Sequence, residues 1–211
     1  MATITTSNFN SGELTLGLAA AGVHMSPAEF DQLSPQEDGY RYELIKGVLI
    51  VNPIPSESET DANGELEYLL RSYRDNHPHD STLNATMSER YVYLPDSRRR
   101  PDRVIWAGLG RQPDPKADVP TIVVEFVSIG RRSWKRDYLE KRDEYLALGV
   151  KEYWIIDRFD RKLIVYQSPA GVVVELVIAE QEIYRTELLP GFELPLARLL
   201  KVADAWRDSE K

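Results

Sequence analysis

Residues 121–127, Thr-Ile-Val-Val-Glu-Phe-Val, are nearly all apolar over the length of one strand. A strand wetted on one side would alternate, so this run belongs in the middle of a sheet covered on both faces. The segment after it supports that placement. Residues 134–148 carry Trp134, Tyr138, Tyr145 and Leu148 at spacings of four and three, and Gly149 stands where a left-handed helix cap is favoured. A second apolar strand at 153–156 follows, and Asp157-Arg158-Phe159-Asp160 turns the chain into a third at 163–166. The order describes a mixed sheet with helices packed on it.

Upstream, Ser26-Pro27-Ala28-Glu29 is a capping box with proline at the first helical position and opens a short helix to about residue 33. Residues 40–45 and 48–51 are strand-like runs joined by Lys46-Gly47, which predicts a hairpin. Asn52-Pro53-Ile54-Pro55-Ser56 breaks the strand, and a helix is expected at 59–73, with Leu66, Leu69, Leu70 and Tyr73 on one face. Short strands are expected at 82–86, 90–94 and 102–106, then a loop at 108–119. The chain closes with strands near 172–179 and 182–186 and a helix near 196–206. Residues 1–24 have few charges and no steady period, which marks a flexible arm before a single domain at 25–211, and a chain starting at Met25 is expected to fold as well as the whole.

Composition narrows the function. There is no cysteine, which excludes a disulfide scaffold, thiolate zinc sites and a cysteine nucleophile and fits a reducing cytoplasm. The apolar stretch 14–23 is too short to span a membrane, and no lysine or arginine precedes Arg41, so neither an anchor nor a secretory leader is expected. His77-Pro78-His79 reads as a solvated loop rather than a metal site. A net charge of −8 argues against a protein that coats nucleic acid. The charge is uneven, however: residues 98–142 carry twelve basic against six acidic side chains.

Three residues break the pattern. Glu125 interrupts the buried run, where an unpaired carboxylate would cost several kcal/mol or take up a proton, unless it reaches solvent at the strand end. Lys141 interrupts the aromatic stripe of the next helix; snorkelling and an i,i+4 pair with Asp137 compete with a deliberately placed charge. Asp102 follows Pro101 at a strand entrance, a weak signal alone. Together, two carboxylates from neighbouring strands can hold a hard divalent ion, and a nearby ammonium can stabilise negative charge or orient water. Phosphodiester hydrolysis requires these parts, and the basic island surrounds them.

At these residues the chain resembles the PD-(D/E)xK nucleases and, within them, the Uma two family of restriction endonucleases. The resemblance covers about residues 25–200. It rests on Ser26 to Phe30, Tyr42-Glu43-Leu44-Ile45-Lys46-Gly47, Pro101-Asp102, Ile122 to Ser128, Asp137 to Lys141 and Gly149 to Asp157 in combination. It implies an α/β restriction-endonuclease-like fold, a mixed sheet flanked by helices with an extra N-terminal hairpin and C-terminal strands. It also implies that Asp102 and Glu125 ligate Mg²⁺ or Mn²⁺, that Lys141 supplies the cation and that Glu43 assists. The superfamily's usual lysine position, two residues after the acid, holds Val127 here, so the lysine comes from the helix.

The expected activity is metal-dependent endonucleolytic cleavage of DNA by a cytoplasmic homodimer, with Arg99, Arg100, Arg103, Arg131, Arg132, Lys135 and Arg136 toward DNA. The competing reading is a non-catalytic module that keeps the fold and binds a protein or DNA.

Overall fold

The computed structural model describes residues 17–33, 38–77, 81–128 and 134–206, with the side chains of residues 134–137 outside that description. Six strands form the main sheet: β3 (Leu83–Ser88), β6 (Arg103–Ala107), β7 (Ile122–Phe126), β8 (Glu152–Asp157), β9 (Lys162–Gln167) and β10 (Val174–Ala179). Their order across the sheet is β10-β9-β8-β7-β6-β3. Only β7 and β8 run parallel, joined by α3 (Trp134–Leu148), and the remaining pairs are antiparallel. A parallel pair needs such a crossover because its second strand must start again from the same end.

β7 is covered on both faces, as its composition demands. Ile122, Val124 and Phe126 pack with Leu66 and Leu70 of α2 (Glu57–Asn76) and with Leu196, Leu199 and Leu200 of α4 (Leu196–Asp204). Val123 points the other way, with Tyr153, Ile155, Tyr138 and Tyr145 on the α3 side. Glu125 falls on that same α3 side by the two-residue strand period. α3 ends as expected: Gly149 takes φ +108°, and the Gly149 and Val150 N–H groups close onto the Leu146 and Tyr145 carbonyls.

A four-stranded sheet of order β2-β1-β5-β4 carries the rest of the N-terminal half. It is made of β1 (Tyr40–Ile45), β2 (Val48–Pro53), β4 (Val92–Tyr93) and β5 (Arg98–Arg99). Lys46 and Gly47 both take positive φ, the two-residue turn whose twist suits a hairpin. β2 runs through Pro53 because it is an edge strand, where no ladder hydrogen bond is demanded of the proline. α2 begins two residues earlier than its apolar period indicates. The reason is a capping box, with the Ser56 hydroxyl accepting from the Glu59 N–H while Glu59 accepts from the Ser56 N–H. The short helix α1 (Pro27–Phe30) has the capping box expected at Ser26. A small ribbon of β11 (Ile183–Tyr184) and β12 (Leu194–Pro195) leads into α4.

The boundary expected at residue 24 falls inside a structured contact. The Gly22 N–H donates to the Leu49 carbonyl at 2.8 Å and the Leu49 N–H to the Val23 carbonyl at 2.8 Å, while Ala20 and Val23 pack against Tyr42, Leu44 and Leu49. Residues 1–16 lie outside the described residues. Deleting residues 1–24 removes two backbone hydrogen bonds and this apolar cover, an expected loss of about 2 kcal/mol at roughly 1 kcal/mol per bond. In a thermal melt that is a fall of about 4–8 °C. An unchanged melting temperature would show that β2 does not depend on the segment.

Candidate active site

The site is built where β6 leaves its loop and β7 ends. Asp102 stands one residue before β6, and both of its carboxylate oxygens are engaged: Oδ2 accepts from the Phe126 N–H at 2.7 Å and Oδ1 from Arg41 Nη1 at 2.8 Å. Its carbonyl accepts from Asn63 Nδ2 at 2.8 Å. One residue thereby joins β6 to the end of β7 and to β1 through its carboxylate, and to α2 through its carbonyl. The Arg41 Nη1 atom also reaches Glu89 Oε1 at 3.0 Å, so one guanidinium spans two carboxylates.

Glu125 points from β7 toward α3 and is buried, with Oε1 accepting from Lys141 Nζ at 2.6 Å. Lys141 is itself buried, so it does not snorkel, and its ion pair is with the strand glutamate. The side chain of Asp137, its other candidate partner, lies outside the described residues. Glu43 reaches in from β1, buried, with Oε1 accepting from the Arg100 N–H at 2.9 Å and Oε2 from Asn52 Nδ2 at 3.2 Å.

The three carboxylates act on one another. Burial pushes Glu125 up to about 7, and Asp102 and Glu43 add to the rise against the pull of Lys141. Burial also pushes Glu43 upward, but Lys141, the Arg100 N–H, Arg99 and Arg41 outweigh it and hold Glu43 below the usual carboxylate range. Burial works against the charge on Arg41, yet Asp102, Glu125 and Glu89 more than compensate and raise it above its ordinary value. At Glu125, burial together with the two neighbouring carboxylates outweighs the Lys141 cation.

The basic island divides. Arg100 is half-buried, pairs with Glu89 at 3.0 Å and lines an open groove of about 390 Å³ beside Asp102, together with Asn63, Glu67 and Ser88. Arg99 and Arg103, expected to face DNA, are instead buried and committed within the protein. Arg99 Nε bonds Glu144 at 2.7 Å, while Arg103 bonds Asn63, Thr86 and Glu67. The reason is local: Arg99 sits on β5, paired with β1, and Arg103 shares the α2 side of β6 with Ile105, so each turns inward to a carboxylate there. Arg131 and Arg132 lie outside the described residues, as do the side chains of Lys135 and Arg136. So do Pro78 and His79, while His77 Nδ1 sits 2.9 Å from the Tyr73 carbonyl.

Arg41 and Asn63 were not expected at the site. Arg41 had a signal in the alternation along β1, where Tyr42 and Leu44 face one apolar cluster and Arg41 and Glu43 share the opposite face. Asn63 had none, because a polar residue on an amphipathic helix is ordinary. A larger concavity lies at the opposite ends of β7 and β8, lined by Glu152, Gln167, Tyr184 and Thr186. Glu152 is buried there, but its oxygens are filled by Trp154, Gln167, Tyr184 and Thr186, so it reads as a structural hub.

The raised Glu125 gives a pH dependence of stability. The folded protein keeps a proton that the unfolded chain releases near 4.5, so metal-free stability falls as pH rises from about 4.5 through about 7 and is level above that. The expected outcome is a falling melting temperature between pH 5 and 7.5 in chelator-treated protein, with a flatter profile for Glu125→Gln. Identical slopes would remove Glu125 as the titrating group.

Comparison with known proteins agrees with this architecture. No curated protein matches the chain. Among solved structures, the crystal structure of "a putative nuclease belonging to DUF820 from Anabaena variabilis ATCC 29413" superposes with a TM-score of 0.65 at 15% identity, covering 85% of this chain and 99% of that one. At that identity the likeness shows the fold, a mixed sheet flanked by helices. A family model, Uma2, described as "Putative restriction endonuclease", matches residues 27–197, a span that includes Glu43, Asp102, Glu125 and Lys141, and the chain accordingly belongs to the Uma2 family.

Proposed function

We propose that this protein is a metal-dependent endonuclease that hydrolyses DNA phosphodiester bonds at the groove beside Asp102. The observation that carries the reading is the buried Lys141–Glu125 pair at 2.6 Å, set beside an Asp102 that is hydrogen-bonded to the next residue of the same strand. A lysine and a glutamate placed this deep, next to two further carboxylates, cost stability and are accounted for by chemistry.

Among the described residues no group of three His, Cys, Asp or Glu side chains could hold a metal ion. The pair Asp102 and Glu125 nevertheless fits Mg²⁺ or Mn²⁺, because such an ion is commonly held by one or two carboxylates, with water and substrate phosphate completing its shell. A cation there would also keep Glu125, which burial pushes upward, ionised. When bound, the ion would activate water and neutralise charge developing on the phosphate. Lys141, with its ammonium 2.6 Å from Glu125, is assigned to a phosphate oxygen or the attacking water. Glu43, kept ionised by its cations, balances the charge on Lys141 and Arg41. Arg100 is the member of the basic island that lines the groove and is assigned to the DNA backbone.

The lack of cysteine fits a reducing, cytoplasmic setting, and among the described residues no helix is long and apolar enough to cross a membrane. A second reading, a non-catalytic binding module, draws on Arg41, which takes the Asp102 oxygen that a metal would need.

Cleavage of plasmid and single-stranded DNA with Mg²⁺ or Mn²⁺ separates the two. Asp102→Ala is expected to abolish cutting and the thermal stabilisation by metal, which comes from preferential binding to the folded state. Lys141→Met is expected to lower cleavage about 100-fold or more, the scale of a lost preorganised electrostatic contact. It should also destabilise the fold, since Glu125 is left without its partner. Full activity in a folded Lys141→Met protein would remove Lys141 from the site. No metal-dependent cleavage or stabilisation in the wild type would favour the binding module.

A further inference from the structure

The main sheet ends on β10, which pairs with β9 alone among the described strands. The run Val172-Val173-Val174-Glu175-Leu176-Val177-Ile178-Ala179 is apolar except for Glu175 and extends ~27 Å at about 3.4 Å per residue. Through the β8–β9–β10 register, Val174, Leu176 and Ile178 lie on the α2 and α4 face, and Glu175, Val177 and Ala179 on the α3 face. Of these, only Ile178 packs against the core. Val172, Val173, Leu176 and Val177 are exposed, Val177 by 58%, and Ile183 beside them is exposed as well. The strand is thus wet on both faces as well as along its outer backbone.

Such an edge is ordinarily blunted by lysine, proline or a bulge. Here the ladder with β9 runs through six consecutive pairs without a shift, and residues 172–179 contain no lysine, arginine or proline. An unbulged, β-branched edge of this length is a template for another strand.

We propose that β10 is the two-fold seam of a homodimer, in which it pairs antiparallel with β10 of a second copy to form a continuous twelve-stranded sheet. A second copy is the occupant because the pairing is isologous: it consumes both open edges together and leaves none of this kind to propagate. The strand's charge pattern also permits it. With the axis at Leu176, Glu175 faces Val177 of the second copy; with the axis at Val177, it faces Ala179. In neither register does the strand's single charge oppose itself, and apolar side chains fill the cross-strand positions. The seam lies three strands away from β7, at the far side of the sheet from Asp102, so it stands whether or not the groove cleaves DNA.

The test is the mass of the full chain in solution at micromolar concentration, by sedimentation or light scattering. The wild type is expected at twice the chain mass, and Val177→Glu, which sets like charges into the seam, as a monomer whose self-affinity has fallen by more than ~100-fold. Because the chain has no cysteine, Leu176→Cys and Val177→Cys each introduce a single thiol, and a short thiol-specific crosslinker should join two chains there. Lys116→Cys, on an exposed loop, should not crosslink. If Val177→Glu fails to fold by circular dichroism, the cysteine variants decide alone. A wild type that stays monomeric overturns the proposal, as does a dimer that survives Val177→Glu, or one that crosslinks at Lys116→Cys as readily as at Leu176→Cys.

Discussion

The hydrogen bond from the Phe126 N–H to Asp102 Oδ2 sets the geometry on which the site depends. The ladder between β6 and β7 pairs Arg103 with Val124 and goes no further, so Phe126 would leave its N–H without a ladder partner on that side. Asp102 supplies the missing acceptor and is held at the strand end in return. Its other oxygen takes Arg41 from β1, so the second sheet is docked onto the first through the same carboxylate. Glu43, two residues along β1, is brought beside Lys141 and Glu125 by that docking.

The arrangement is costly. Asp102, Glu125, Lys141, Glu43 and Arg41 are all buried, and each would be unfavourable there alone. Two of the three carboxylates are paired with a cation, yet burial, with Asp102 and Glu43 adding to it, still raises the affinity of Glu125 for a proton. A core built for stability alone would fill α3's stripe with apolar side chains throughout, as Tyr138 and Tyr145 fill it on either side of Lys141. The local conflict between a helix's apolar period and a buried ammonium marks where the fold serves chemistry.

The main sheet treats its two edges differently. β3 lies beside α2, and the Thr86 hydroxyl on it accepts from Arg103, so that edge is tied into the body of the protein. β10 has only β9 behind it, and the core clusters draw on its Ile178 alone. The site, at β6 and β7, is thereby surrounded by the well-packed part of the molecule, while the apolar surface left in water is concentrated at the opposite margin.

Much of this was legible in the sequence because it depends on local periodicity. The unbroken run at β7, the stripe and glycine cap of α3 and the Lys46-Gly47 turn each declare themselves within a dozen residues. Glu125 and Lys141 were visible because a charge inside an apolar pattern conflicts with its neighbours. Asp102 carried almost no signal of its own and was identified through the family motif. Only the tertiary structure decided that Lys141 pairs with Glu125, that Arg41 clamps Asp102 and that Arg99 and Arg103 turn inward. These are contacts between residues as many as 61 positions apart, set by how two sheets and a helix dock. A basic run looks the same in sequence whether it faces solvent or satisfies buried carboxylates, because charge is a property of the residue and burial a property of the fold.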